Sequence, residues 1–451
     1  MLRDKVYLNR LFTLALPVIL HNFFRSSLNL VAGLMIGQKG DVAVAAVGMA
    51  NQVYFVLITI LLGITNGCAI FSAQFWGNED VPNIRRVMGI CISMGVTAGS
   101  FFFLVSMLLS QEVISIFTDD PAVITLGGQF LQIMSPSFLM LGVSSAYSSI
   151  TRSTGDVRTP LATSLIALIL TILSDYLLIF GALGLPEMGV CGAAVGIDIG
   201  RLAEMVLLVG IVYRRRLPCA ASFREMLDFD FGYFKKVAYR SLPVAINEIL
   251  WSTGVTIYYI VYARISTESV AAVNIASNIE QLALVIFIGA GDACSILVGN
   301  QIGAGDQKTA RRYARNTLVL AILGAIGVGI LIVLGSDLIL QLYKVSDLVK
   351  EFAHRILIVV ALVLWVRASN IIIIGGTLRS GGDTRVGFLL DTGTVWLVGI
   401  PMALIGAFVL KLPIIWVYVM VMTEEFVKFG IGLARVLSKK WINDLTGVAT
   451  P

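Results

Sequence analysis

The sequence predicts an all-α polytopic membrane protein, with twelve transmembrane helices in two six-helix lobes related by a parallel internal repeat, and three observations carry that expectation. Of 451 residues, 57% are hydrophobic and only 14% charged, with a mean hydropathy of +0.88, against about 25% charged residues in a soluble chain. Twelve runs reach the roughly 20 apolar residues that a helix needs to cross a bilayer. The second half of the chain also repeats the first. So much apolar surface exceeds what a protein core buries, which excludes soluble enzymes and nucleic-acid binders. The net charge of +5 is therefore read against a membrane, with no nucleic-acid partner.

The first run, 11–36, follows the charged stretch MLRDKVYLNR without a small-residue cleavage site, so it reads as a retained span and not a signal peptide. Runs 46–73 and 87–109 flank Arg85 and Arg86, and runs 125–150 and 160–182 flank Arg152 and Arg158. Run 189–213 leads into a basic stretch from Arg214 to Arg240. The second half supplies 240–263, 271–299, 315–336, 351–377, 386–409 and 413–437, with Lys308 to Arg315, then Arg379 and Arg385, then Arg435, Lys439 and Lys440 at the corresponding loops. The alternating ten-residue segments of a membrane barrel are absent from the sequence. Together with Arg3, Lys5 and Arg10, one set of loops holds 23 of the 33 lysines and arginines, while the opposite set holds only Lys39, Arg264, Lys344, Lys350 and Lys411. The positive-inside rule then puts both termini on the cytoplasmic side of the cell (plasma or inner) membrane, as an even number of spans requires.

A shift of 226 residues lays LPV at Leu16 to Val18 on LPV at Leu242 to Val244, VAAV at Val44 to Val47 on Val270 to Val273, and Gly63 on Gly289. It continues through Gly77, Asp80, Arg85 and Arg86 onto Gly303, Asp306, Arg311 and Arg312. A shift of 227 then lays RSTGDVR at Arg152 to Arg158 on RSGGDTR at Arg379 to Arg385. An even number of spans separates the halves, so they share one orientation. The expected organisation is an N-terminal lobe at 1–213, a connector at 214–239 and a C-terminal lobe at 240–451. The FREMLDFDFGYF core of the connector reads either as a short surface helix joining the lobes or as a solvated linker.

Parallel six-helix repeats without a soluble domain are the sequence form of a secondary transporter. No nucleotide-binding loop occurs, so coupling falls to an ion gradient. Five scattered cysteines without a CxxC and only two histidines, His21 and His354, argue against a disulfide framework or a zinc site. With neither a nucleophile–base pair nor a metal-protease motif, an intramembrane enzyme is not expected, nor is a cofactor beyond the coupling ion.

At this point the residues resemble a family. Pro17 within LPV, DVAVAAVG, the pair Gly63 and Gly67 followed by AQFWGNED, RSTGDVRTP, LIFGALGLPEMGVCGAAVG and LRSGGDTR are similar, over nearly the whole chain, to the multidrug and toxic compound extrusion (MATE) transporters. The resemblance implies an inner-membrane antiporter that exports organic, mostly cationic or amphipathic, compounds in exchange for protons or sodium ions by rocking of two lobes. It also implies an Asn-x-x-x-Asp pair in the fifth span. Asp175 stands at the aspartate and Thr171 where the asparagine would be. Two markers of the family's branches are missing. The first-span aspartate position, fifteen residues after Pro17, is Ala32, and the seventh-span glutamate position, eight after Pro243, is Trp251, with Glu248 three residues earlier.

A charge at bilayer depth costs about 2.5–3.5 kcal/mol on insertion scales, so each needs a partner, a wet cavity or a function. Asp175 is the deepest acid of the N-terminal half. Asn22, Arg25 and Asn29 share one face of the first span, placing Arg25 and Asn29 as substrate contacts or as a structural partner for Asp175. In the C-terminal half, Glu424 with Lys428 is an i,i+4 pair and Glu425 with Lys428 an i,i+3 pair. Asp391 and Glu248 are expected to join them in an ion-binding or static network. A sodium ion is conceivable near Asp175 or Glu248. Asp198, Arg201, Glu204, Glu280 and Asp292 also fall in or near the membrane at a depth the sequence does not fix. The competing transporter reading is a flippase for lipid-linked precursors of the same broader superfamily, which would require more buried cations than Arg25 and Lys428. The expected partners are a small organic substrate and the bilayer, and the expected state is a monomer.

Overall fold

The computed structural model describes residues 5–446 other than 342 and 344, with the backbone alone at 23 and 25–30. The helices are α1 Lys5–Gly37, α2 Asp41–Gly77, α3 Val81–Leu108, α4 Ser110–Ser115, α5 Pro121–Met134, α6 Pro136–Ser153, α7 Arg158–Phe180 and α8 Val190–Arg214. After the short α9, Phe223–Met226, come α10 Phe231–Ile265, α11 Thr267–Gly303, α12 Gln307–Gln341, α13 Asp347–Asn370, α14 Thr384–Thr394, α15 Ile400–Leu404 and α16 Ile414–Leu437. No strand occurs among the described residues. Wide π-type turns at Ile371–Leu378, Val395–Gly399 and Ile405–Val409 continue α13, α14 and α15.

Eight helices, counting these continuations, are long and apolar enough to cross a membrane. The pair α5–α6 makes a ninth span, bent by 45°. The run at 125–150 is therefore two helices and not the single one expected. Pro136 has no N–H to donate to the carbonyl of Gln132, and the Ser135 hydroxyl takes over that carbonyl at 2.8 Å. The other long helices are α1, α8 and α16. The last two carry Asp198, Arg201 and Glu204, and Glu424, Glu425 and Lys428, in mid-helix.

Repeat-related turns share their geometry. Gly155 and Gly382, 227 residues apart, both adopt positive φ, at 96° and 73°, a conformation that favours glycine. Asp80 caps α3 by accepting from the amide of Asn83 at 3.2 Å, and its counterpart Asp306 accepts from the amide of Thr309 at 2.9 Å at the start of α12.

The chain divides into two compact units, Leu20–Ala245 and Met1–Ile19 with Ile246–Pro451. These do not coincide with the sequence halves 1–213 and 240–451, because the opening turns of α1 and α10 pack with the opposite half. A Cβ on Gly63 would strike Ala245, and a Cβ on Gly289 would strike Ile19 and the carbonyl of Ala15. Both glycines and both targets are 226 residues apart, so one close crossing is made twice. Within Leu20–Ala245 the core gathers Val47, Leu57, Phe130, Met134 and Phe138. Gly95 and Gly142 bring α3 and α6 together, each facing the other's carbonyl.

The connector belongs wholly to this unit and seats on the start of α3. Ser222 and Glu225 form a capping box on α9, Glu225 pairs with Arg85, and Asp228 pairs with Arg86 at 2.6 Å. Gly89 leaves room for the carbonyl of Met226. The amide and hydroxyl of Ser222, and then the Arg85 guanidinium, hold the Glu225 carboxyl below its ordinary range.

Candidate functional site

Helix α8 presents Gly192, Gly196 and Gly200, four residues apart on one face, to Leu178, Asp175 and Thr171 of α7. Any Cβ at these glycines would strike those residues, so the two backbones approach as closely as small residues permit. Asp175 is 2% exposed, and its Oδ1 has no hydrogen-bond partner among the described residues. Thr171 lies one turn away on the same face, but its hydroxyl donates to the carbonyl of Ala167 at 3.0 Å. The structure thus brings the two expected residues to one interface while committing the threonine to backbone. Arg25 and Asn29 lie outside the residues whose side chains are described.

The same unit holds a second polar group. Arg201 Nη1 meets Glu204 Oε2 at 2.7 Å, Arg201 Nη2 donates to the hydroxyl of Tyr54, and Ser164 donates to Glu204 Oε1 at 2.6 Å. Three helices, α2, α7 and α8, therefore meet at one ion pair. Asp198, one turn before Arg201, accepts from the amide of Ser137 at 3.2 Å, beside the α5–α6 bend.

In the other unit the acids are largely paired. Lys428 of α16 donates to Asp391 Oδ1 at 3.1 Å and lies 3.9 Å from Glu425 Oε2. Asn247 of α10 donates to Asp391 Oδ2 at 2.9 Å and accepts from Thr392 at 2.8 Å. Arg367 of α13 pairs with Glu280 of α11 and lies 3.3 Å from Glu425 Oε1, and Asn370 donates to Glu425 Oε2 at 2.7 Å. Two sequence expectations change. Glu248 pairs with Arg379 at 2.9 Å instead of joining Lys428, since α10 brings Asn247 to Asp391 and the next residue points elsewhere. Glu424 does not form the i,i+4 pair with Lys428. It is 4% exposed and accepts from the Tyr258 hydroxyl at 2.5 Å, against the π turn at Val395–Gly399, where Gly399 leaves space for both side chains.

Sequence reasoning missed Arg367, Asn370, Asn247, Tyr258 and Tyr54. The arginine deep inside the apolar run 351–377, Arg367, was one available signal, and the repeat itself was another. The shift of 226 lays His21 on Asn247 and Tyr54 on Glu280, and the shift of 227 lays Ser164 on Asp391, Asp198 on Glu425 and Arg201 on Lys428. The two polar groups occupy corresponding places in the two lobes.

Comparison with known proteins agrees with this architecture. The MatE family model matches residues 17–177 and again 243–405. A "probable multidrug resistance protein NorM" of Thermotoga maritima is 23% identical over 441 residues, covering 96% of this chain and 92% of that one. A "probable multidrug resistance protein YoeA" of Bacillus subtilis is 25% identical, covering 89% and 88%. Among solved structures, the Vibrio cholerae MATE transporter VcmN in its bent form superposes with a TM-score of 0.88 at 17% identity, covering 97% of this chain and 99% of that one. That likeness carries the twelve-helix, two-lobe fold.

Proposed function

Because the chain belongs to the MatE family of multi-pass membrane transporters, we propose that it exports organic, mostly cationic or amphipathic, compounds in exchange for protons, with Asp175 as the coupling acid. It is a transporter and not an enzyme. Export of organic compounds draws support from the two relatives described as probable multidrug resistance proteins. The coupling group rests on one observation: Asp175 is buried with Oδ1 unpartnered among the described residues, whereas Glu204, Glu248, Glu280, Asp391 and Glu425 each face a basic side chain. A carboxyl without a counter-charge is the one whose ionisation changes the energy of its lobe most, because burial penalises only the charged form.

Proton is favoured over sodium by the donor set. A cation stripped of water needs several oxygens, and among the described residues the hydroxyl one turn from Asp175, that of Thr171, is already committed to the carbonyl of Ala167. Glu248, the other position where a sodium ion was conceivable, faces the Arg379 guanidinium. Glu424, which accepts from Tyr258 and forms no ion pair with Lys428, acts as a secondary proton site in the C-terminal unit. Protonation and substrate binding each favour one arrangement of the lobes, and each shifts that equilibrium only as far as its affinity differs between the two. The protein works in the cell membrane with both termini cytoplasmic.

Uptake of a fluorescent organic cation into inside-out vesicles, under an imposed proton gradient and then a sodium gradient, tests this reading. Uptake should follow the proton gradient and vanish in Asp175→Asn. Uptake that follows sodium alone, or that survives the substitution, contradicts it.

A further inference from the structure

Between 214 and 240 the connector and the first turns of α10 carry seven lysines and arginines against three acids. Those acids are engaged within the protein: Glu225 pairs with Arg85, Asp228 with Arg86, and Asp230 accepts from the amide of Tyr233 at 2.8 Å. The turns beside the connector, 78–86 and 152–158, set Arg85, Arg86, Arg152 and Arg158 against Glu79, Asp80 and Asp156, so the excess of positive charge stands. Arg214, Arg215, Arg216, Arg224, Lys235 and Lys236 are exposed. Large apolar side chains are exposed among them. Phe223 is 80% exposed, Phe231 79% and Leu227 54%, and the Phe231 ring begins a stack that runs through Phe234 to Phe229, with centroids 6.3 and 6.4 Å apart. Leaving phenyl side chains in water forgoes the gain of burying them. The segment after the last span avoids that loss, because Trp441 and Leu445 are buried against Gly381 and Gly382.

Position decides what meets this surface. The connector seats on the start of α3, and the apolar window of that span is only 39% buried within the protein. Helix α3 therefore stands at the rim of its unit, where lipid begins, and the connector stands with it. Helix α8 ends at Arg214 and α10 begins at Phe231, so the connector joins the points where the chain leaves and re-enters the bilayer. We propose that the connector is a docking surface for an anionic lipid leaflet. Phe223, Leu227 and Phe231 enter the boundary between headgroups and acyl chains, and the exposed arginines and lysines hold lipid phosphates. A surface that is both apolar and basic fits a leaflet that is anionic at its face and apolar beneath. Aromatic rings settle at that depth, and the long stems of arginine and lysine let their charges stay at the phosphates while the rings go deeper. Arg85 and Arg86 are occupied by Glu225 and Asp228, so the lipid contacts fall to the six exposed bases. One face of the connector is thus fixed to α3 and the other to lipid, whichever compound or ion the protein carries.

The test places the fluorophore NBD on Phe231→Cys in the full chain, with Cys191→Ser removing the one native cysteine that is not buried. The protein is reconstituted in nanodiscs of phosphatidylcholine or of phosphatidylglycerol. In phosphatidylglycerol the label should be quenched by a lipid carrying a doxyl group near its headgroup, and aqueous acrylamide should quench it severalfold less than in phosphatidylcholine. R214Q/R215Q/R216Q/R224Q should bring both readings in phosphatidylglycerol back to their phosphatidylcholine values. Unlabelled protein gives a second reading. Trypsin should cut the connector severalfold more slowly in phosphatidylglycerol than in phosphatidylcholine, relative to its cut after Lys439, and F223S/F231S should abolish that protection; this reading holds if the labelled or charge-depleted variants do not fold. A label open to acrylamide and untouched by doxyl lipid in both discs overturns the inference and leaves a solvated linker. Shielding from acrylamide without doxyl quenching overturns it in favour of a second copy of the chain. Doxyl quenching and trypsin protection that are equal in the two lipids also overturn it, since the basic residues would then play no part.

Discussion

The two lobes carry polar groups at corresponding positions of one repeat, yet they treat charge differently. In the N-terminal unit, Arg201 and Glu204 form one ion pair that is partly open, and Asp175 is buried apart from it against glycines. In the C-terminal unit, two bases, Arg367 and Lys428, neutralise Glu280, Glu425 and Asp391 within one continuous network, and Glu424 is set aside on Tyr258. The difference separates two uses of a buried charge. A networked acid is held by its neighbours, so it braces the lobe. A solitary acid changes its lobe's energy when it gains or loses a proton.

Breaking the C-terminal network should give the largest stability effect. Lys428→Ala leaves Asp391 and Glu425 without their shared cation, and removing one partner of a buried pair costs about 3–5 kcal/mol. Detergent-solubilised protein should show that loss in thermal unfolding, and restoring neutrality with K428M/D391N/E425Q should recover part of it. If Lys428→Ala unfolds like the parent protein, the network does not brace the lobe.

A smaller loss is expected at the glycine ladder. Gly196→Val drives a branched side chain into Asp175, and overpacking of this kind costs about 1–3 kcal/mol. The same change at Gly210, which has no neighbour near its Cβ position, should be nearly silent in the same unfolding assay. Glu424→Gln sharpens the contrast between solitary and networked acids. The amide oxygen can still accept from Tyr258, so stability should stay close to that of the parent protein while proton-driven flux falls, though less than in Asp175→Asn. Unchanged flux would remove Glu424 from the coupling scheme.

The smallest effect belongs to the connector, where Glu225 and Arg85 are partly exposed and such pairs contribute about 0–1 kcal/mol. The Glu225 carboxyl is held below its ordinary 4.5, so its contribution is present above that value and is lost as the pH falls through the lower folded one. Proteolytic nicking of the connector should therefore increase on acidification below about pH 4.5, and Glu225→Gln should remove that dependence.

Much of this was legible in the sequence. Spans, repeat and cationic loops were readable because hydropathy and the positive-inside bias act locally along the chain, and Asp175 stood out as an acid in an apolar run. Asp391, Glu425 and Lys428 were expected together and are together. The partition of acids among partners was not readable, because it depends on which face of α10 and α13 turns inward. Asn247 and not Glu248 meets Asp391, and Arg367 comes from a helix with no acid near it in sequence. The bend at Ser135 was signalled by Pro136, which a hydropathy window averages away. The lobe boundary was displaced because Gly63 and Gly289 draw in the opening turns of helices that the repeat assigns to the opposite half.

The central claim is that Asp175 holds the proton that substrate displaces. The most direct test is proton release on adding a saturating fluorescent organic cation to purified protein in weakly buffered detergent solution, read with a pH-sensitive dye. The parent protein should release protons on binding, and Asp175→Asn should bind the cation with little or no release. Release from the variant equal to that of the parent protein would contradict the account and place the exchangeable proton elsewhere.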